Sequence, residues 1–146
     1  MTPEQIESIY DDEEPNKARD LLLPEATAGN PVAQFYLGQL CAEENPRDDE
    51  GAVAWFKKSA AGGYEPGVHY LASHLYFGIG ISQDIEEALK LFRRSAEGGF
   101  DASQWKLGQH LLSQRGSREE AVKWLKLAAN QGHPAAKDLL NANTDA

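Results

Sequence analysis

Residues 52–63 read "AVAWFKKSAAGG", residues 88–99 "ALKLFRRSAEGG" and residues 121–132 "AVKWLKLAANQG". A chain of 146 residues that writes nearly the same segment three times is built from a structural repeat. With a weaker copy ending at Gly29, the closing glycines are Gly29, Gly63, Gly99 and Gly132, spaced by 34, 36 and 33 residues. Eleven residues before each stands an alanine: Ala18, Ala52, Ala88, Ala121. Eight residues after each of those stands another: Ala26, Ala60, Ala96, Ala129. Between them recur the bulky pairs Leu21–Leu22, Trp55–Phe56, Leu91–Phe92 and Trp124–Leu125. Offsets of this kind mark one face of an α-helix. The glycine just beyond fits a left-handed C-terminal cap. The alanines let a neighbouring helix come close, where larger side chains would force the backbones apart.

A second series precedes each such helix: "PVAQFYLGQLC" from Pro31, "EPGVHYLASHL" from Glu65 and "DASQWKLGQHL" from Asp101. Leu37, Leu71 and Leu107 share a register. So do the small residues Gly38, Ala72 and Gly108, and the apolar Cys41, Leu75 and Leu111. This spacing is again helical, and Pro31 and Pro66 suit a first turn, where a missing N–H costs nothing. Turn formers fill the links "EENPRDDEG", "GIGISQD" and "SQRGSRE". Each unit is therefore a pair of antiparallel helices, and stacked pairs cover the apolar faces that one pair cannot. The expected architecture is all-α, a solenoid forming one domain over residues 1–146. Residues 1–29 form a divergent first pair, 30–63, 64–99 and 100–132 the full repeats, and 133–146 a capping helix. Pro24 predicts a kink or an early stop in the first pair. In the cap, Ala136 and Leu140 fall in register, with Lys137, Asp138 and Asn141 left for the wet side. Trp55 and Trp124 read as core, and Lys57, Arg93 and Lys126 as a basic ridge on the outer face.

The formal net charge of −9 is concentrated at one end: residues 1–50 carry thirteen Asp/Glu against three Lys/Arg. Nucleic acid is a poor match, since phosphates need a basic footprint. A basic protein partner would suit the field, and so would a plain solvated acidic face. No apolar run is long enough to span a membrane. The acidic start "MTPEQIESIYDDEEP" is unlike a secretory signal. The single cysteine, Cys41, excludes an internal disulfide and sits at a leucine position, as a core thiol would. These features point to a reducing compartment, the cytoplasm.

The segments "VAQFYLG", "GIGISQD", "EALKLFRRSAEGG" and "EAVKWLKLAANQG" resemble the Sel-one-like repeats, relatives of the tetratricopeptide repeats, over about residues 30–140. The first and third full units lack the G-x-G link, and Ala72 stands where the family has glycine. The resemblance implies a right-handed α-α superhelix that acts as a scaffold or adaptor, binding a protein or peptide without a catalytic site. The family's disulfide-rich members are a separate group, since this chain lacks their cysteines. The resemblance also implies that the first helices of successive units line a concave groove. Phe35, Gln39, His69, Ser73, Tyr76, Trp105 and Gln109 are the residues whose register places them there, with Ala42 and Leu112 beside them. Aromatics flanked by amides and a histidine suit peptide capture. For Phe35 and Trp105, packing between adjacent helices is the competing reading.

Constellations for chemistry are missing. The histidines His69, His74, His110 and His133 form no H-E-x-x-H motif, and no cysteine pair has zinc spacing. "GIGIS" lacks the full dinucleotide fingerprint, and "DDEE" and "RDDEG" lack the alternation of a calcium loop. No cofactor or metal is expected, and an enzyme is the weakest reading. A sharper alternative to a general adaptor is a bacterial immunity or inhibitor protein, whose acidic first third masks the basic site of a cognate toxin.

Overall fold

A recurring backbone device closes four helices. Gly29, Gly63, Gly99 and Gly132 take φ of +98°, +80°, +95° and +94°. In each case the glycine N–H returns to the carbonyl three residues back, and the next N–H to the carbonyl five back. Asn30 reaches Glu25 at 3.1 Å, Tyr64 Ser59 at 3.3 Å, Phe100 Ser95 at 3.1 Å and His133 Ala128 at 3.1 Å. This is the Schellman closure, and it needs a residue that tolerates the left-handed region. A Cβ on Gly63 would meet no atom within 4 Å, so Gly63→Ala isolates backbone strain from crowding. We expect it to cost about 1 kcal/mol, read as a lower urea midpoint. An unchanged midpoint would show that the turn relaxes.

The structure, a computed structural model, describes residues 1–114 and 117–144. Among them are nine α-helices and no strand. The helices are α1 (Pro3–Asp12), α2 (Pro15–Thr27), α3 (Pro31–Glu43), α4 (Asp49–Ala61), α5 (Glu65–Phe77), α6 (Ile85–Glu97), α7 (Asp101–Ser113), α8 (Arg118–Asn130) and α9 (Pro134–Thr144). Residues 115 and 116 of the expected "SQRGSRE" link, and the last two residues of the expected cap, lie outside the described residues.

Side chains open six of the described helices, while α2, α5 and α7 have no side-chain cap. Thr2 and Gln5 form a reciprocal capping box on α1. Asn30, having closed α2, accepts from the N–H groups of Val32 and Ala33 to start α3. Asp48, Asp84 and Ser117 accept from Gly51, Glu87 and Glu120 at 2.9, 3.0 and 3.1 Å. His133 Nδ1 accepts from Ala136 N–H at 3.1 Å, which places that ring's lone pair on Nδ1.

The backbone groups into two compact units, Met1–Ala88 and Leu89–Ala146. In the first, α3 packs against α1, α2, α4 and α5. Its sequence is apolar nearly all round, and it buries Val32, Ala33, Gln34, Phe35, Leu37, Gly38, Leu40 and Cys41. Burial pushes the Cys41 thiol pKa up, as expected for a core thiol. Ala18 and Ala52 are fully buried, and the second member of each bulky pair, Leu22 and Phe56, is too. Phe56 fills the notch left by Gly38: a Cβ there would come within 2.5 Å of the ring.

The second unit repeats the arrangement. Ala121 and Leu125 are fully buried, but the expected Ala129 is only half-buried and its neighbour Ala128 takes the fully buried place; Leu125 fills the notch at Gly108, where a Cβ would come within 2.8 Å of it. Ala96, Leu107 and Trp124 form one cluster. Leu125, Ala128 and Ala136 form another, edged by Leu139 and Leu140. Lys137, Asp138 and Asn141 are exposed on α9, as the cap requires.

Two further expectations need correction. α2 continues from Pro15 to Thr27 with Pro24 inside it, so the early stop does not occur. Pro24 and Asp20, whose carbonyl loses its partner, are both exposed, so water can take the place of the lost hydrogen bond. Trp124 is buried at 7% exposure, whereas Trp55 is only half-buried, with Lys58 Nζ 4.5 Å from its ring centroid.

Candidate protein-binding surface

The first helices of the repeats carry the residues expected to meet a partner. On α3, Phe35 is 6% exposed. Its ring lies 5.0, 5.9, 5.5 and 5.3 Å from those of Tyr36, Phe56, Tyr64 and Tyr70. It packs the interior of the first unit and offers almost no surface. Gln39, four residues on, is half-buried, as are His69, Ser73 and Tyr76 on α5, a helix that packs on α3. Ser73 Oγ donates to the His69 carbonyl at 3.0 Å. Tyr76 stands edge-on to Phe77, which is 57% exposed.

In the second unit, α7 presents Trp105 and Gln109, both half-buried. The Trp105 ring stacks on His133, with centroids 5.2 Å apart and planes 22° from parallel. A shallow cavity of about 370 Å³ opens beside it, lined by Trp105, Gln109, Ala135, Asp138, Leu139 and Ala142. One wall is indole and aliphatic, and an amide and a carboxylate stand at its edge. Lys106 Nζ donates to Gln109 Oε1 at 3.3 Å, and burial lowers the lysine pKa. The His110 pKa is also lowered, first by burial and then by Lys106.

The expected basic ridge is interrupted. Lys57 and Lys126 are exposed, each in its own unit, but Arg93 is paired with Glu120. The Arg93 hydrogen bond is the main reason the Glu120 pKa is lowered. Among the described residues no group of three or more His, Cys, Asp or Glu is placed to hold a metal ion. No described helix is long and apolar enough to cross a membrane.

Sequence reasoning missed a set of buried polar side chains. Gln34 and Gln104 share a register three residues before the common leucine, and both are buried. Their amides donate to the carbonyls of Ala26 and Ala96 at 3.0 and 3.1 Å, tying each first helix to the end of the helix before it. Ser59 and Ser95, also in register, are fully buried; Ser59 Oγ donates to the Pro31 carbonyl at 2.6 Å and Ser103 Oγ to Ser95 Oγ at 2.9 Å. The recurrence of these residues at one register was the available signal.

The profile of the Sel1 repeat matches residues 31–64, 67–100 and 101–133. The chain belongs to the Sel1-repeat family. Two solved structures share the Sel1-repeat architecture. One is c5321 of uropathogenic Escherichia coli, a protective antigen displaying an SLR fold, with 31% identity over 89% of this chain and a TM-score of 0.76. The chain spans only 29% of the length of that protein. The other is a Sel1-repeat protein from Oxalobacter formigenes, with 28% identity over 85% of this chain and 98% of that one, and a TM-score of 0.75. No curated protein matches the chain. Sel1-repeat proteins are in general scaffolds for protein–protein interaction, and their helical fold is typically non-enzymatic.

Proposed function

We propose that this Sel1-repeat chain is a cytoplasmic adaptor that binds a protein or peptide through its first-helix residues and carries no chemistry of its own. The observation that carries the reading is Trp105: a half-exposed indole, stacked on His133, at the mouth of a cavity that also holds an amide and a carboxylate. Large aromatics beside polar groups supply binding energy together with orientation. Gln109 accompanies Trp105 in the second unit, and the first unit contributes candidates of its own, the half-buried Gln39, His69, Ser73 and Tyr76, with Phe35 buried in that unit's interior. Catalysis, a cofactor and a metal have no part in this reading.

Exchanging both Trp105 and Tyr76 for alanine tests it. The double variant is expected to keep its helical circular dichroism and to lose at least about tenfold in affinity for its native partner, a change of about 1.4 kcal/mol. Partner capture at wild-type strength would move the contact elsewhere. A narrower reading, neutralisation of a toxic basic protein, draws support from the acidic first third. There Lys17, Arg19 and Arg47, the three cations of residues 1–50, are each already paired, with Glu13, Glu44 and Asp49. Its test is rescue of cells from the product of a neighbouring gene.

A further inference from the structure

Four tyrosines gather around Phe35 in the first unit. Tyr10 comes from α1, Tyr36 from α3, Tyr64 from the turn before α5 and Tyr70 from α5, and all four are half-buried. Phe35 meets Tyr36, Tyr64 and Tyr70 edge-on at interplanar angles of 71°, 67° and 73°. Tyr10 lies over Tyr36 with centroids 4.8 Å apart. A buried phenylalanine is thus the floor of a partly open aromatic patch.

The rim of the patch is acidic. Tyr10 Oη donates to Glu43 Oε1 at 2.5 Å. The negative charge of Glu7 acts on Tyr36 and Tyr64, and that of Asp11 on Tyr10 and Tyr36. Burial and these carboxylates hold the phenols well above their ordinary pKa, so they stay protonated. Every charged side chain bearing on the three hydroxyls is a carboxylate. Lys17, Arg19 and Arg47 are paired with other acids, Glu13, Glu44 and Asp49.

This combination selects one ligand chemistry. An apolar ligand would cover Glu7 and Asp11 without replacing their water, and an anion would be repelled. A cation is attracted both by ring faces within about 6 Å and by the carboxylates. Arginine suits the arrangement better than lysine, since its flat guanidinium stacks on a ring while its edge donates to a carboxylate. The chain already uses the ring-face contact elsewhere, at Lys58 over Trp55, Lys106 over Trp105 and Lys123 over Trp124.

We propose that the tyrosine–carboxylate patch of α1, α3 and α5 docks an arginine-bearing basic segment of a partner protein. The proposal rests on the reading of the chain as a protein-binding module but uses neither of the side chains exchanged in the Trp105/Tyr76 variant. An Arg-Gly-Arg-Gly-Arg peptide amide is the probe, titrated into the full chain at physiological salt and followed by calorimetry and by the tyrosine ring resonances. Binding is expected to saturate and to shift the Tyr10 and Tyr36 rings. Replacing arginine by neutral citrulline should weaken it about tenfold or more.

Glu7→Gln with Asp11→Asn, both at exposed positions, is expected to weaken binding severalfold, and Tyr36→Leu likewise. Glu50→Gln with Glu119→Gln removes the same charge at exposed positions of α4 and α8 and should leave affinity within about twofold. Equal weakening by the two charge pairs would reduce the effect to net charge and overturn the proposal, as would a peptide that does not saturate. Trp105→Ala with Tyr76→Ala should leave peptide binding intact. Native-partner capture that persists without peptide binding overturns the patch alone. Peptide binding that persists in the Trp105/Tyr76 variant while that variant also captures partner at full strength overturns the groove alone.

Discussion

Ala96→Arg is expected to remove about 3–5 kcal/mol of stability, combining overpacking with a buried, unpaired charge. Ala96 is 1% exposed and sits in the cluster with Leu107 and Trp124. Its carbonyl also accepts from the buried Gln104 amide, so any retreat of α6 to make room breaks that bond as well. A loss of this size is comparable to the whole stability of many small domains. Denaturant unfolding followed by circular dichroism should therefore show either a large drop in midpoint or a chain unfolded before denaturant is added. Glu97→Arg is the control: it places the same side chain on the adjacent, exposed position of the same helix and should change stability by less than about 0.5 kcal/mol. Equal effects at the two positions would mean that the alanine schedule does not mark the packed face.

That schedule is where the sequence was most informative. A small residue returning at fixed spacing is a packing requirement, because a larger one at Ala52 or Ala121 has nowhere to go. The same holds for the closing glycines, whose backbone angles other residues reach only under strain. Both are local constraints, written where they act. Pro24 did not end its helix: an exposed orphaned carbonyl can be met by water, which lowers one part of the cost of an interior proline, and exposure is not a local property of the sequence. Trp55 misled for a related reason. Its register partner Trp124 is buried, whereas Trp55 packs against the core of its unit but stays half-buried, since equivalent positions in a stack need not have equivalent neighbours.

The candidate contacts divide in the same way. Register could place Phe35 and Trp105 at one position of the repeat, but only tertiary packing decides that the first is buried and the second lines a cavity. The tyrosine patch was out of reach for a further reason. Tyr10 lies outside the repeat match and Tyr64 stands in a turn, so no single periodicity gathers them.

Phe56→Ala is expected to cost about 3–5 kcal/mol, in the upper range of core truncations. The ring is fully buried and packs against Phe35, Tyr70 and His74 at centroid distances of 5.9, 5.4 and 5.2 Å. α3, α4 and α5 all contribute to that contact, so collapse of one helix cannot fill the space. The notch at Gly38 gives the test a sharper form. In the native background a Cβ at Gly38 comes within 2.5 and 2.7 Å of Phe56 ring carbons. Gly38→Ala should therefore destabilise by about 1–3 kcal/mol despite alanine's better helix propensity. With the ring removed the clash is gone, and Gly38→Ala should instead stabilise by about 1 kcal/mol, through propensity and partial filling of the cavity. The change of sign between backgrounds is the coupling between ring and notch, read from a double-mutant cycle of denaturation midpoints. The same sign in both would show that the two helices do not meet through this pair, and the close approach that the small residues permit would have to be sought elsewhere along α3.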